Sequence, residues 1–422
     1  MHHFNSDYFM YRNQQLYAED IPVSDLIQQY GTPVYIYSAS QLKKSYERFS
    51  HAFEGLNFKI FFAVKSLYNI SIIKLFHGLG AGMDINSEGE FYRAESAGVN
   101  PKDMLLTGVG KTAAEIKNAL VKGVRLIKAE SAEEIFLINE IAGSLGIVAP
   151  VAIRVNPDVD AKTHPYTTTG LYEYKFGVDT KTAYELYRSH QRFPNIRFTG
   201  IDMHIGSQIK SVEPYIESIG KLSMIVKDLR EYGLSIDHFD IGGGFGVAYN
   251  NDEQFPLEEF AKTILPTLKS IECEIYFEPG RFFSANAGIL AAEVLYTKDN
   301  GVKKFLVTDA AMNDLLRPSI YGSFHYIQPV KTNLGRKQII ADIVGPICES
   351  GDFIARGRVI AECERGDHLA IMSAGAYGMT MASNYNARRR APEVLVEGSN
   401  HTLIRSRETL EHLVYDEKSL LK

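Results

Sequence analysis

A lysine closes an apolar run in "FKIFFAVKSLYN", residues 58–69. Phe58, Ile60, Phe61, Phe62, Ala63 and Val64 have the pattern of a strand covered on both faces, where a lysine charge is costly to bury. Two readings of Lys65 follow: it lies just past the strand and reaches water, or it is a neutral, desolvated amine held for carbonyl chemistry. Taken alone, the stretch favours the first. "DIGGGFG", residues 240–246, has glycines at 242, 243, 244 and 246. These permit a tight turn whose N–H groups converge on an anion, most naturally a phosphate, and a purely structural turn is the alternative. It is not a dinucleotide fingerprint, because Val247 stands where the last glycine of G-x-G-x-x-G belongs. "TGVGKT" fails as a nucleoside-triphosphate loop, since Leu105 occupies the position of its first glycine. Gly108 and Gly110 fit a strand-to-helix loop passing close to a ligand. Glu278 in "EPGR" is a weak signal alone. Beside a phosphate turn and an isolated lysine it suits a pyridine nitrogen, where a carboxylate keeps the ring protonated and electron-withdrawing. His204 in "MHIGSQ" either stacks on a flat cofactor or is a satisfied core histidine, and without other evidence the core is favoured.

These groups need a scaffold that brings distant segments together. Strand patterns begin near Phe58, Gly82, Met104, Arg125, Pro150, Arg197, Ile236 and Cys273, with helical patterns between them. In residues 211–233, Ile216, Ile219, Leu222, Ile225, Val226 and Leu229 recur at helical spacing and Gly233 supplies a stop. Such alternation predicts an α/β chain with a (β/α)8 barrel, in which chemistry collects where strands end. Lys65, "MDINSEGE", "TGVGK", "MHIGSQ", "DIGGGFG" and "EPGR" all fall at predicted strand ends. After about residue 290 the runs "AAEVLYT", "KKFLVTDA" and "GDHLAIMSAG" predict a second, mainly β domain. The expected division is a barrel over residues 36–290 and a β domain from residues 1–35 and 291–422, with "TPVYIYS" at 32–38 adding a strand to it.

Bulk properties narrow the function. The 422 residues are 45% hydrophobic and 23% charged, with a formal net charge of −6, and the sequence pI is about 6.1. No general attraction to nucleic acid or anionic membrane follows. "ARRRAP" at 387–392 reads as a solvated loop. No charged and apolar leader pattern opens the sequence and no run has the length of a membrane span, which predicts a cytoplasmic protein. Cys273, Cys348 and Cys363 match neither a disulfide framework nor a zinc site, so free thiols and no metal are expected.

Taken in order, "FAVKS", "MDINSEGE", "DAKTHPYTTTG", "YKFGV", "HIGSQ", "DIGGGFG", "EPGR", "DAAMNDLLRPSIYGSFH", "GPICESGD" and "GAYGMTMASNYN" span nearly the whole chain. In them the sequence resembles the diaminopimelate decarboxylases, pyridoxal-phosphate enzymes of the alanine racemase-like fold. The resemblance implies that Lys65 is the Schiff-base lysine, which answers the question posed by the strand end. It implies that His204 faces the cofactor ring, that Glu278 meets the pyridine nitrogen, and that Ser207, Gly244 and the turn of Glu278, Pro279, Gly280 and Arg281 serve cofactor binding. Tyr377 would contact cofactor and substrate. Arg281, Arg317 and Tyr321 would hold a substrate carboxylate, a task suited to guanidinium groups. Glu349 would accept the distal ammonium, and Cys348 would donate a proton from the partner subunit, making a homodimer with shared sites. Two places depart from the family pattern: Ser66 and Leu67 follow the lysine, and Tyr174 stands where asparagine is usual.

The implied reaction converts meso-2,6-diaminopimelate to L-lysine and CO2, the last step of lysine biosynthesis. The nearest rival is a related ornithine, lysine or arginine decarboxylase, whose substrates lack the distal carboxylate. A racemase is disfavoured by Glu278, because arginine is typical at that position there. A non-catalytic cofactor carrier built on one barrel would leave the C-terminal part without a purpose.

Overall fold

The computed structural model describes residues 4, 6–161, 163–164, 166, 169–170, 175–250, 252–332 and 335–421. It divides into two compact units, one of residues 46–247 and 253–282 and the other of residues 1–45, 248–252 and 283–422.

The first unit is a closed barrel of eight parallel strands: Phe58–Ala63, Gly82–Ile85, Met104–Leu106, Leu126–Ala129, Ala149–Asn156, Ile196–Asp202, His238–Asp240 and Glu274–Phe277. Each pairs with the next, and the eighth returns to the first through Ile275–Phe58 and Phe277–Ile60. The strands start within two residues of the positions read from the sequence. Helices Ile70–Gly78, Glu88–Ser96, Ala113–Lys122, Ala132–Leu145, Thr180–Arg188, Glu213–Glu231 and Leu257–Ile271 follow successive strands.

Short polar side chains fix where these helices begin. Ser87 accepts from Glu90 N–H, Ser131 from Glu134 N–H, and Thr112 with Glu115 forms a reciprocal cap. Each satisfies amide donors that the first turn leaves open. Helix Glu213–Glu231 buries Ile219, Leu222, Ile225, Val226 and Leu229, while Ile216, expected on the same stripe, is exposed at its edge. Gly233 lies beyond the end with φ of 99°.

Side chains that point inward recur every second residue along a barrel strand. Phe61, Leu105, Leu126, Ala152 and Tyr276 make an apolar layer. Two residues further along those strands come Ala63, Thr107, Lys128, Arg154 and Glu278, so the next layer inside the barrel is polar. Strand pairing puts Asp202 opposite Asp240 in that layer.

The second unit is mainly sheet. Its strands run in the order Phe353–Ala361, Gln338–Val344, Lys304–Thr308, Gly288–Asp299, Val34–Ser38, Glu393–Glu397 and Asn400–Arg405, with Ile327–Pro329 and His368–Ile371 paired alongside. "TPVYIYS" does supply a strand: Val34–Ser38 pairs antiparallel with Gly288–Asp299 and parallel with Glu393–Glu397. Val34, Ile36, Ile289, Ala291, Val394 and Val396 form its core with Phe9 and Leu16. The arginines of "ARRRAP" are less free than the sequence suggested. Arg390 pairs with Glu408 at 3.0 Å and Arg388 donates to the Asp309 carbonyl at 3.0 Å. Among the described residues no helix is long and apolar enough to cross a membrane. The three thiols are unbridged; Cys273 and Cys363 are buried and Cys348 is exposed.

Candidate active site

Lys65 lies in the turn Val64–Ser66, just past the first barrel strand. Ser66, one of the departures from the family pattern, donates its hydroxyl to the Ala63 carbonyl at 2.8 Å and ties that turn; Leu67 is buried. Tyr174 lies outside the described residues. Lys65 Nζ donates to Asp84 Oδ2 at 2.8 Å, with the lysine side chain 37% exposed and the aspartate fully buried. Thr107 donates to the other Asp84 oxygen. Burial pushes the Asp84 carboxyl up, but the Lys65 and Lys128 ammonium groups outweigh it and hold Asp84 below its ordinary range. Lys65 therefore lies just past the strand and partly reaches water, with its amine paired to a buried anion.

Glu278 directly follows the eighth strand, beside the first: Ala63 N–H donates to the Pro279 carbonyl, and a Cβ at Gly280 would lie 2.9 Å from Ser66 Cβ. This packing places Lys65 and Glu278 on neighbouring strand ends. The glycine turn is held against them. Gly242 accepts from Glu278 N–H at 2.7 Å, and a Cβ at Gly243 would come within 2.2 Å of the Glu278 carbonyl. At Gly244, with φ of 96°, a Cβ would meet the Gly206 carbonyl at 2.3 Å, so only glycine fits. Arg281 Nη2 donates to Ser207 Oγ at 2.9 Å, joining two groups expected to serve an anion.

His204 accepts from Gly243 N–H through Nδ1 at 3.2 Å, which leaves its proton on Nε2. Burial, then the Arg154 and Lys65 charges, keep the ring far below the usual imidazole range and hence neutral. A neutral ring beside the glycine turn suits stacking on a flat cofactor.

Several groups in this layer were missed by sequence reasoning. Lys128, fully buried, lies 2.7 Å from Asp202 Oδ1 and 2.5 Å from Asp240 Oδ2, and also contacts Glu278 Oε1. Asp202, Asp240 and Glu278 have the closeness of metal ligands, yet the ammonium touches all three. Burial would lower the Lys128 proton affinity, but the surrounding carboxylates raise it well above the ordinary lysine value. Lys111 of "TGVGK" is consumed locally, donating to the Gly108 and Lys128 carbonyls at 2.6 Å and to Glu134 at 2.7 Å. Arg154 is clamped by Glu130 at 2.9 Å and donates to the His204 carbonyl. The only signal for these residues was a charged side chain at inward register near a strand end.

Burial, then repulsion from Asp240 and Asp84, raises the Glu278 proton affinity well above the ordinary glutamate value, with Lys128 pulling against it. The folded chain then binds more protons at Glu278 than the unfolded chain does. This group's contribution to stability consequently falls as pH rises from the ordinary glutamate range toward the folded value. Cofactor-free Glu278→Gln is expected to melt a few degrees above wild type at pH 8, with the gap closing by about pH 5. Thermal melts across that range check it; a gap that widens toward acid would contradict the charge assignment.

The second unit carries the other predicted residues. Arg317 opens the short helix Arg317–Tyr321, so Tyr321 lies one turn away on the same side. Arg317 is buried, and its Nη1 lies 2.9 Å from His325 Nε2. His325 Nδ1 faces the Met372 carbonyl at 2.9 Å, which makes Nδ1 the donor and Nε2 the acceptor. Tyr249 lies under the Arg317 guanidinium, 4.7 Å from the ring centroid. Tyr377 holds φ of 56°, a left-handed conformation uncommon for a bulky residue. The loop bearing Cys348 is braced by Asp352, which accepts from Ile347 and Met312 N–H groups at 2.7 Å. Glu349 is also exposed and accepts from Tyr385 OH at 2.8 Å.

A parallel eight-stranded barrel whose strand ends join a lysine, a neutral imidazole, a glycine turn with an arginine, and a buried carboxylate defines an enzyme class built around a phosphate-bearing cofactor with a reactive carbonyl. Residues 39–285 match the family described as pyridoxal-dependent decarboxylase, pyridoxal binding domain. The chain is 44% identical over 408 residues to a diaminopimelate decarboxylase of Haemophilus influenzae, covering 96% of this chain and 98% of that one. It is 45% identical over 408 residues to the diaminopimelate decarboxylase of Aquifex aeolicus, covering 96% of each. The crystal structure of diaminopimelate decarboxylase from Helicobacter pylori complexed with L-lysine matches with a TM-score of 0.91 at 40% identity, over 94% of this chain and 100% of that one. The chain belongs to the diaminopimelate decarboxylase family of pyridoxal-dependent enzymes. The family, fold and cofactor expected from the motifs are borne out.

Proposed function

We propose that the residues described above divide among them the work of converting meso-2,6-diaminopimelate to L-lysine and CO2, the family's reaction. The observation that carries this reading is the placement of Lys65 and Glu278 on adjacent strand ends beside the glycine turn, in a chain similar to diaminopimelate decarboxylases over nearly its full length. Bound there, pyridoxal phosphate supplies a carbonyl that condenses with an amine and a ring that withdraws electrons from the carbon losing CO2. The donor set fits that group: an amine, a neutral imidazole for a ring face, a carboxyl for a ring nitrogen, and a glycine turn with Arg281 and Ser207 for a phosphate.

Lys65 is the covalent anchor, and Asp84 keeps its amine oriented. His204 covers one face of the ring and Glu278 holds the ring nitrogen. Ser207, Gly244 and the turn Pro279, Gly280 and Arg281 retain the phosphate. Arg281, Arg317 and Tyr321 bind a substrate carboxylate, and Tyr377 touches both cofactor and substrate. Glu349 binds the distal ammonium, and Cys348 protonates the carbon that has lost CO2, an acid role typically worth ~10²–10⁴-fold. Exposure of Cys348 and Glu349 supports their service in a second copy of the chain, within a homodimer of shared sites. Three unbridged thiols agree with a cytoplasmic location.

The test is purified protein with pyridoxal phosphate and a panel of meso-diaminopimelate, ornithine, lysine and arginine, scored for CO2 and product. Diaminopimelate should give L-lysine and CO2 in equal amounts, with kcat/KM for the others lower by ~10²-fold or more, because a site built for a distal carboxylate leaves its polar groups unpaired without one. Preference for ornithine would overturn the assignment and favour the rival decarboxylase.

A further inference from the structure

Lys128 projects from the fourth strand, and its carboxylate partners end the sixth, seventh and eighth. In a barrel of eight strands the fourth and eighth lie on opposite walls, so this side chain crosses the interior to reach Glu278. The ammonium donates to Asp202 and Glu278 and pairs with Asp240 Oδ2 at 2.5 Å as an ion pair. A buried lysine charge is tolerated only with such compensation. Among the described residues Lys128 is the cation in contact with all three carboxylates, and whatever weakens its hold on Glu278 changes both the orientation and the charge of that carboxyl.

We propose that Lys128 is a positioning residue for Glu278, fixing its carboxyl in the barrel and stabilising the anionic form that partners the cofactor's ring nitrogen. The inference rests on the role given above to Glu278. Besides Lys128, the charged groups bearing on Glu278 are Asp84, Asp202, Asp240 and Arg154 from the surrounding strands and strand ends. Asp240 and Asp84 favour a proton on Glu278, whereas Lys128 favours its loss. Without Lys128 the carboxylate form is less stabilised, so the proton shared between Glu278 and the ring nitrogen shifts toward Glu278, which weakens the electron sink. Without the Asp240 charge the balance moves the other way.

The experiment uses Lys128→Met, Asp240→Asn, Glu278→Gln and the double variant Lys128→Met with Glu278→Gln. Affinity of each stripped enzyme for pyridoxal phosphate is measured against pH by absorbance titration, and kcat on the reloaded enzyme. Binding a ring nitrogen to an already protonated Glu278 needs no added proton, so affinity falls only above the pH at which Glu278 ionises. That pH should rise by about one in Lys128→Met and fall by a similar amount in Asp240→Asn, as expected for removal of one nearby opposite or like charge. A defect of packing alone would not give opposite signs. The double variant should have the same kcat as Glu278→Gln, because both changes act through one group.

If Lys128→Met does not fold, Lys128→Gln is titrated in its place: an upward move supports the proposal, and no move or a downward one overturns it. Multiplicative losses in the double variant would also overturn it. Wild-type kcat in Glu278→Gln would instead remove the assignment of Glu278, whereas a ~10-fold loss there with an unchanged pH midpoint in Lys128→Met removes only the role of Lys128.

Discussion

Lys65→Ala is expected to lose turnover by ~10³-fold or more and to lose the visible absorbance of covalently held cofactor, since one amine both anchors the cofactor and takes part in exchanging it for substrate. The structure supplies a way to separate chemistry from folding. Lys65 is the cation for buried Asp84, so alanine removes an amine and leaves a carboxylate short of charge at the same time. Leaving a buried charge unpaired costs ~3–5 kcal/mol, reduced here because the lysine is partly exposed and Lys128 also bears on Asp84. Lys65→Arg restores a cation that cannot be deprotonated to attack a carbonyl. It should melt near wild type yet remain as inactive as alanine. Borohydride reduction followed by mass spectrometry should label a peptide containing Lys65 in wild type and in neither variant. Full activity in the arginine variant, with a label on another lysine, would sink the assignment.

That prediction rests on a residue the sequence exposed readily, and Lys128 shows why others stayed hidden. Lys65 ends an apolar run long enough to read as a strand, so its position stands out locally, while its role came with the family motifs. The same holds for the glycines of "DIGGGFG", since so dense a cluster marks a tight turn by its own composition. Lys128 sits in "LIKAES", where one lysine within a short run looks like any side chain facing water at a strand. Its burial depends on Asp202, Asp240 and Glu278, each more than seventy residues away in the chain and brought near only by barrel closure. Register, a long-range property, decides whether such a side chain faces inward. Ile216 illustrates the same limit in a helix: its spacing matched the buried stripe, yet it lies exposed at the edge of that stripe. "ARRRAP" likewise read as solvated because its partners, Asp309 and Glu408, lie in other segments. Fold class was legible since it needs only alternation, whereas the electrostatics of the barrel interior needs the pairing of strands.

Mixing inactive Lys65→Ala and Cys348→Ala subunits is expected to regenerate activity. Cys348 is exposed on a loop held in shape by Asp352, and Glu349 beside it is bonded to Tyr385, so the pair is presented on a defined surface. If a homodimer places this loop in the site of the other chain, one copy gives Lys65 and the other gives Cys348 and Glu349. Each single variant is then nearly inactive as a homodimer, because every site lacks one required group. A mixed dimer is different: one of its sites carries both defects and the other carries neither. Random re-pairing in a two-fold dimer makes about half the dimers mixed, each with one intact site of two, so recovery should approach roughly a quarter of wild-type activity. Subunit exchange is verified separately by tagging the two variants and isolating doubly tagged dimers. If Cys348 served its own chain, every site in the mixture would keep a defect and activity would stay at the level of the parents. Verified exchange with no recovery would therefore exclude a shared site and return Cys348 to its own subunit.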